Sequence, residues 1–255
     1  MAELIAKHDD VVNRLIEIDK SRKNFIATVN HELRTPLTSI IGYLELIQER
    51  GGTDLDPDIA NSFNIVMRNA RRLQTLVENT LFISLLDRRQ SVFDATPVDV
   101  GQLLHAIVDA LLPMAHKAEV EVNLVVEGKK ERLSIEGNGS QIEQLFTNLV
   151  SNAVKFTPKH GAVTVTARHV DLDNGSAVET TVRDTGIGIP AEEADGLFGR
   201  FTRGSNALDA MIPGTGLGLS IVKEVVEIHG GSVTFTSKIG EGTEFTVKLP
   251  VVHVV

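Results

Sequence analysis

The octapeptide Asn30-His31-Glu32-Leu33-Arg34-Thr35-Pro36-Leu37 puts an imidazole beside a carboxylate inside a strongly helical pattern. A neutral imidazole nitrogen is a nucleophile, and a neighbouring carboxylate that holds the proton on the other nitrogen raises its nucleophilicity. Pro36 removes the backbone hydrogen bond to the Glu32 carbonyl and bends the helix. His31 stands at the edge of the apolar seam, where its ring reaches solvent; on residue type alone, a histidine there is more often inert than reactive. Further on, Asn148 and Asn152 stand four apart in a helical stretch with Lys155 nearby. Amide oxygens suit Mg2+, a hard cation that keeps waters and phosphate oxygens in its shell, and Lys155 can contact a phosphate. Two surface amides on a solvated helix face fit the same spacing.

Asp184-Thr185-Gly186-Ile187-Gly188-Ile189-Pro190 ends a strand, and its glycines let the chain turn sharply and approach a flat ligand. The Asp184 carboxylate can accept a hydrogen bond from the exocyclic amine of adenine. Gly214-Thr215-Gly216-Leu217-Gly218-Leu219 opens an apolar helix whose first amides can meet phosphate oxygens. The Lys-Ser/Thr ending of a Walker loop and the strand–loop–helix–strand unit of a dinucleotide site are both missing.

These stretches together resemble the sensor histidine kinases of two-component systems, from about residue 19 to the C-terminus. His31-Glu32-Leu33-Arg34-Thr35-Pro36-Leu37 is very similar to that family's phosphoacceptor motif. The resemblance implies that His31 is phosphorylated, that Glu32 is its acid–base partner, and that Thr35 helps position water when the protein dephosphorylates its partner. The stretch 141–158 resembles the asparagine box, in which the position of Asn152 ligates Mg2+; Asn148 is assigned with it to catalysis, and Lys155 and Phe156 to the nucleotide. The segments around Asp184, Gly186 and Gly188, and around Gly214, Thr215, Gly216, Leu217 and Gly218, resemble paired glycine boxes that contact ATP. Leu197-Phe198-Gly199-Arg200-Phe201-Thr202-Arg203 resembles the phenylalanine box, with Phe198 and Phe201 expected to pack. Segment 202–215 is the expected nucleotide lid, from which Arg203 reaches phosphate on closure. Phe156 stands where a tyrosine is frequent and Gly199 where a charged residue is usual; neither departure removes a group that the chemistry needs.

The elements that must position these residues fall into two patterns. Leu4, Val11, Ile18 and Phe25 recur every seven residues, with Leu15 and Val29 four further on and His8 and Arg22 as interruptions. A helix that transmits movement and an ordinary bundle helix both fit. The apolar pattern continues to Ile47 and stops at Gly51-Gly52 and Pro57. A second helix is expected over 58–88, carrying the stripe Ile59, Phe63, Val66, Ala70, Leu73, Val77 and Thr80. One hairpin leaves apolar surface uncovered on each helix, so two should join as a four-helix bundle in a homodimer. After Thr96-Pro97 short strands alternate with helices: helices at 100–116, 140–156 and 217–229, a short one at 192–199, and strands near 120–126, 132–136, 162–170, 177–184, 231–237 and 243–250.

The expected organisation is a signalling coiled-coil helix at 1–20, a dimerisation and phosphotransfer hairpin at 21–90, a linker at 91–98, and an ATP-binding domain at 99–255. The fold class is a helical hairpin forming a dimeric four-helix bundle, followed by an α+β sandwich of the GHKL, or Bergerat, ATPase type. In a chain of 255 residues with 34 acidic and 25 basic side chains and no basic block, a nucleic-acid platform is not expected. The absence of cysteine agrees with a reducing setting. No apolar run approaches the roughly 20 residues of a membrane span, and the N-terminus has no signal-peptide pattern. The expected location is therefore cytoplasmic, without direct membrane contact, and compatible with the cytoplasmic portion of a membrane receptor. The resemblance implies ATP and Mg2+ as cofactors and the receiver domain of a response regulator as partner. Two competing readings are an ATPase working as a conformational clamp and a non-catalytic scaffold or phosphatase that binds ATP only to set its shape.

Overall fold

The structure is a computed structural model that describes residues 33–35, 37, 38, 40–45, 47, 57–86, 95–128, 133–173, 175–206, 212 and 214–251. It divides into two compact units, Met1–Arg89 and Gln90–Val255. The seam at 4–29, together with His31, Glu32, Pro36 and Gly51-Gly52, lies outside the described residues.

In the first unit the described residues between 33 and 47 are helical, and α1 runs from Pro57 to Leu86. Proline suits the first helical position, where a backbone N–H has no partner to lose. Leu37 and Ile41 are buried with Met67 and Ala70, and Leu44 and Phe63 pack against them. Arg71 and Glu45 pair between the two helices at 3.1 Å. The stripe expected on the second helix divides in two: Ala70 and Val77 are buried, whereas Ile59, Val66 and Leu73, seven apart, are exposed. Leu33, Ile40 and Ile47 form a second exposed row at the same spacing.

The second unit is an α/β sandwich. β1 (Thr96–Asp99) pairs antiparallel with β3 (Ser134–Gly137). β2 (Glu121–Val126), β4 (Ala162–Leu172), β5 (Gly175–Asp184), β6 (Ser232–Lys238) and β7 (Gly242–Pro250) make a five-stranded sheet in the order β2-β4-β5-β7-β6. Only the β2–β4 pair is parallel. The register aligns Val165, Val182 and Phe245 in one row and Ala167, Thr180 and Val247 in the next, all buried. Against this sheet pack α2 (Val100–Ala118), α3 (Gly139–Phe156) and α4 (Gly218–Ile228). Phe146, Leu104, Ile142 and Ile221 fill the layer between.

Two features differ from the expectation. β1 lies mostly within the segment expected as a linker, because four residues that include a proline carry little strand signal; Asp99 ends this strand and also caps α2, accepting from Gln102 N at 2.9 Å. The short helix expected at 192–199 is a 3-10 stretch, Ala191–Gly196, with no side-chain cap. Gly199 N bonds back to Gly196 O at 2.9 Å and turns the chain away. No helix of the described residues is long and apolar enough to cross a membrane.

Candidate nucleotide site

The asparagine helix starts from a cap. Asn138 accepts a hydrogen bond from Gln141 N, and the apolar stripe Ile142, Leu145, Phe146, Leu149, Val150 and Val154 is buried. Burying that face turns Asn148 and Asn152 to its edge, where both are half-buried. A Cβ added at Gly218, the first residue of α4, would lie 3.3 Å from Asn148 Oδ1 and 3.6 Å from Asn152 Nδ2. The second glycine loop and the asparagine pair, far apart in sequence, therefore meet. Asn148 Nδ2 is buried without a hydrogen-bond partner. A buried orphaned donor is uncommon, and at this position it fits a site that a bound group completes.

The first glycine loop closes on the other end of α3. Asp184 is 6% exposed, and its Oδ1 accepts from Gly186 N at 2.8 Å and Thr243 N at 3.2 Å. Burial pushes its carboxyl above the ordinary carboxylate value, and the two backbone donors oppose that rise. Ile187 N donates to Phe156 O at 3.1 Å, tying the loop to the last turn of the asparagine helix. At Gly186 a Cβ would fall 2.6 Å from that carbonyl, and at Gly188, with φ +71°, it would collide with the backbone of Lys238. Close backbone approach thus requires glycine at both positions, and the left-handed backbone requires it at Gly188 as well.

Of the other residues singled out from sequence, Phe156 is half-buried and Leu217 is buried. Lys155 has an exposed side chain, yet the protein around its ammonium lowers its pKa by desolvation. Thr215 Oγ1 accepts from Leu217 N at 3.4 Å, and Gly214 has open space around its Cα. Gly216, at φ +73°, lies against the backbone of Phe201. Arg203 donates to the Ile212 carbonyl, so here it braces the lid's own backbone. The lid is described only at its two ends. Thr35 is helical and exposed.

The expectation that both phenylalanines pack holds for Phe198 alone. Its ring stands edge-on to Phe235 and Phe245 at 6.0 and 6.4 Å. Phe201 is 65% exposed at φ +64°, where the chain reverses beside Gly216 and turns the ring outward.

Sequence reasoning missed three contributors. Thr243 lies 59 residues from the carboxylate it holds, and no local pattern marks it. Asn206 donates to Gly188 O at 2.6 Å, joining the root of the lid to the first glycine loop. His229 joins α4 to the start of α3. Among the described residues no group of three or more histidine or carboxylate side chains could hold a metal. The donor set that is present, an amide beside a glycine loop able to hold phosphates, fits Mg2+ bound chiefly through phosphate oxygens.

A site assembled in this way has known counterparts. Residues 137–253 match the family described as histidine kinase-, DNA gyrase B- and HSP90-like ATPase, and residues 21–89 match the His kinase A phospho-acceptor domain. The chain is 35% identical over 238 residues to hybrid signal transduction histidine kinase D of Dictyostelium discoideum, covering 93% of this chain and 15% of that protein. It is 35% identical over 237 residues to the sensor histidine kinase WalK of Bacillus subtilis, covering 92% of this chain and 37% of that one. Among solved structures, full-length ShkA in complex with AMPPNP superposes with a TM-score of 0.69 at 29% identity, over 88% of this chain and 45% of that one. The chain thus spans well under half the length of the curated relatives it matches. With the nucleotide site inside one of these two matches and the histidine octapeptide inside the other, in that family's order, the chain belongs to the sensor histidine kinases of two-component signalling.

Proposed function

We propose that the chain binds ATP between α3 and its two glycine loops and transfers the γ-phosphoryl group to His31. The observation that carries this reading is the convergence of a buried carboxylate suited to adenine with an asparagine pair that abuts a phosphate-type glycine loop. The two stand at opposite ends of one helical segment, Asn148–Phe156. In the reaction the lone pair of one imidazole nitrogen forms a bond to the γ-phosphorus while the bond from that phosphorus to the β–γ bridging oxygen breaks, and ADP leaves. Glu32 takes the proton from the other ring nitrogen. Bound Mg2+ would offset charge on the phosphates, with the Asn152 amide oxygen as its protein ligand. Lys155 adds a positive charge, and Asp184 holds the adenine end so that the phosphates project toward Asn148 and Gly218.

The phosphoramidate formed is a reactive donor, and the acceptor is an aspartate on the receiver domain of a response regulator. Thr35 positions water for the reverse, phosphatase reaction. The two exposed heptad rows of the hairpin support a homodimer, in which they cover one another as a four-helix bundle. The reading places the reaction in the cytoplasm.

The test is incubation with Mg2+ and γ-labelled ATP, comparing the unmodified chain with His31→Gln and Asn152→Ala. Label that is lost in acid, stable in alkali, and absent from both variants is the expected result. ATP hydrolysis without protein label, unchanged by His31→Gln, would replace this reading with that of a clamp ATPase.

A further inference from the structure

His229 is 7% exposed, and backbone atoms engage both of its ring nitrogens. Nδ1 lies 2.8 Å from the Val225 carbonyl, and Nε2 accepts from Asn138 N at 3.1 Å. A carbonyl can only accept and an N–H can only donate, so the ring is neutral, with its proton on Nδ1. Burial lowers its pKa and favours the same form. The ring occupies the space that a side chain at Gly137 would need: a Cβ there would come within 2.7 Å of His229 Cδ2. Asn138 in turn is the cap of α3.

These contacts lie at one end of a helix pair whose other end is the nucleotide site. Gly218 abuts Asn148 and Asn152, and His229, just past the C-terminal end of α4, holds Asn138, just before the start of α3. The two helices therefore run antiparallel. At 1.5 Å per residue, Gly218 to His229 spans about 16 Å and Asn138 to the asparagine pair about 15–21 Å, so the pinned segments match in length. Packed helices can shear past one another by small sliding motions, and a directional hydrogen bond at the far end opposes that motion.

We infer that His229 is a positioning residue: its Nε2 bond to Asn138 sets how far α4 slides along α3, and thereby where the second glycine loop meets Asn148 and Asn152. The inference rests on the nucleotide reading above and assigns His229 to the phosphate end of the ligand. The adenine end, held by Asp184, Gly186 and Thr243, does not depend on it. A purely structural role would weaken both ends together.

The experiment measures binding of ATP with Mg2+, and separately of adenosine, to the full chain carrying His229→Leu, His229→Gln or Gly137→Ala. Sub-ångström misplacement of the phosphate contacts should weaken ATP binding in His229→Leu by about tenfold or more. Adenosine binding should be unchanged. Glutamine, which offers an amide donor and acceptor at a similar separation, should recover most of the loss. Gly137→Ala places a methyl against the Cδ2–Nε2 edge of the ring, and against Ile142 Cδ1, without removing any hydrogen-bonding group; by displacing the Nε2 bond it should reproduce the selective loss even if His229→Leu fails to fold. Equal weakening of both ligands, or unchanged ATP binding, overturns the inference. An unmodified chain that binds neither ligand removes the nucleotide reading itself, and the inference with it.

Discussion

At the residue scale Asp184 has two separable jobs. Its Oδ1 serves two buried backbone donors, Gly186 N and Thr243 N, while in the proposed function the carboxylate also accepts from the adenine amine. Asp184→Asn keeps an oxygen for the two donors and replaces the other oxygen with an NH2 group that repels the amine. ATP affinity should fall about 10- to 100-fold, the worth of a hydrogen bond to a charged group at about 1.5–3 kcal/mol. The raised folded-state pKa sets the sign for stability: the contribution of this group is fully present below the ordinary value of 3.8 and is lost as pH rises through the raised one. At neutral pH the buried charge therefore opposes folding, and Asp184→Asn should unfold at the same temperature as the unmodified chain or higher. Calorimetry alongside ATP titration checks both halves. ATP binding by the unmodified chain should also weaken on acidification at a pH above that of an ordinary aspartate, because protonation removes the acceptor. The residue type and the glycine two positions on were enough to nominate Asp184 from sequence; its second donor was not.

At the element scale the phenylalanine segment shows where a linear pattern stops informing. Phe198 and Phe201 are three apart, as two residues on one helical face would be, yet the segment is not a regular helix. Phe198 joins Phe235 and Phe245, whereas Phe201 takes a left-handed backbone and points outward. Phe198→Ala should cost about 3 kcal/mol, the low end of the roughly 3–5 kcal/mol for truncating a core aromatic, because the ring is half-buried. Phe201→Ala should stay within about 0.5 kcal/mol, as for an exposed position. Denaturant unfolding of the two variants measures the difference, and equal costs would mean that Phe201 packs after all. The longer elements were read well because each carries its own period: α3 and α4 each bury one stripe. β4, β6 and β7 alternate over most of their length, whereas β5, in the middle of the sheet, is buried along nearly all of it. β1 was missed because four residues hold too little periodicity, and its existence depends on the distant Ser134–Gly137 strand.

At the scale of the whole molecule, the hairpin's exposed rows Leu33/Ile40/Ile47 and Ile59/Val66/Leu73 are the apolar surface that the proposed four-helix bundle would cover. The double substitution Val66→Glu with Leu73→Glu places two charges in the second of these rows, and sedimentation should then show a monomer. ATP binding by the second unit should be unaffected, while labelling of His31 should fall if the bundle presents it. A variant that stays dimeric would reject the bundle. From the sequence alone came the order of modules, the amphipathic helices, the chemistry available to His31, Asn152 and Asp184, and the need for glycine near them, because residue type and short-range spacing carry all of these. Tertiary structure alone decided that Thr243 completes the Asp184 site, that Gly218 lies against the asparagine pair, that Phe201 leaves the core, and that His229 holds the cap of α3. Each of those contacts joins, or is set by, segments far apart in the chain, and their meeting is fixed by helix packing and strand register, which no local pattern records.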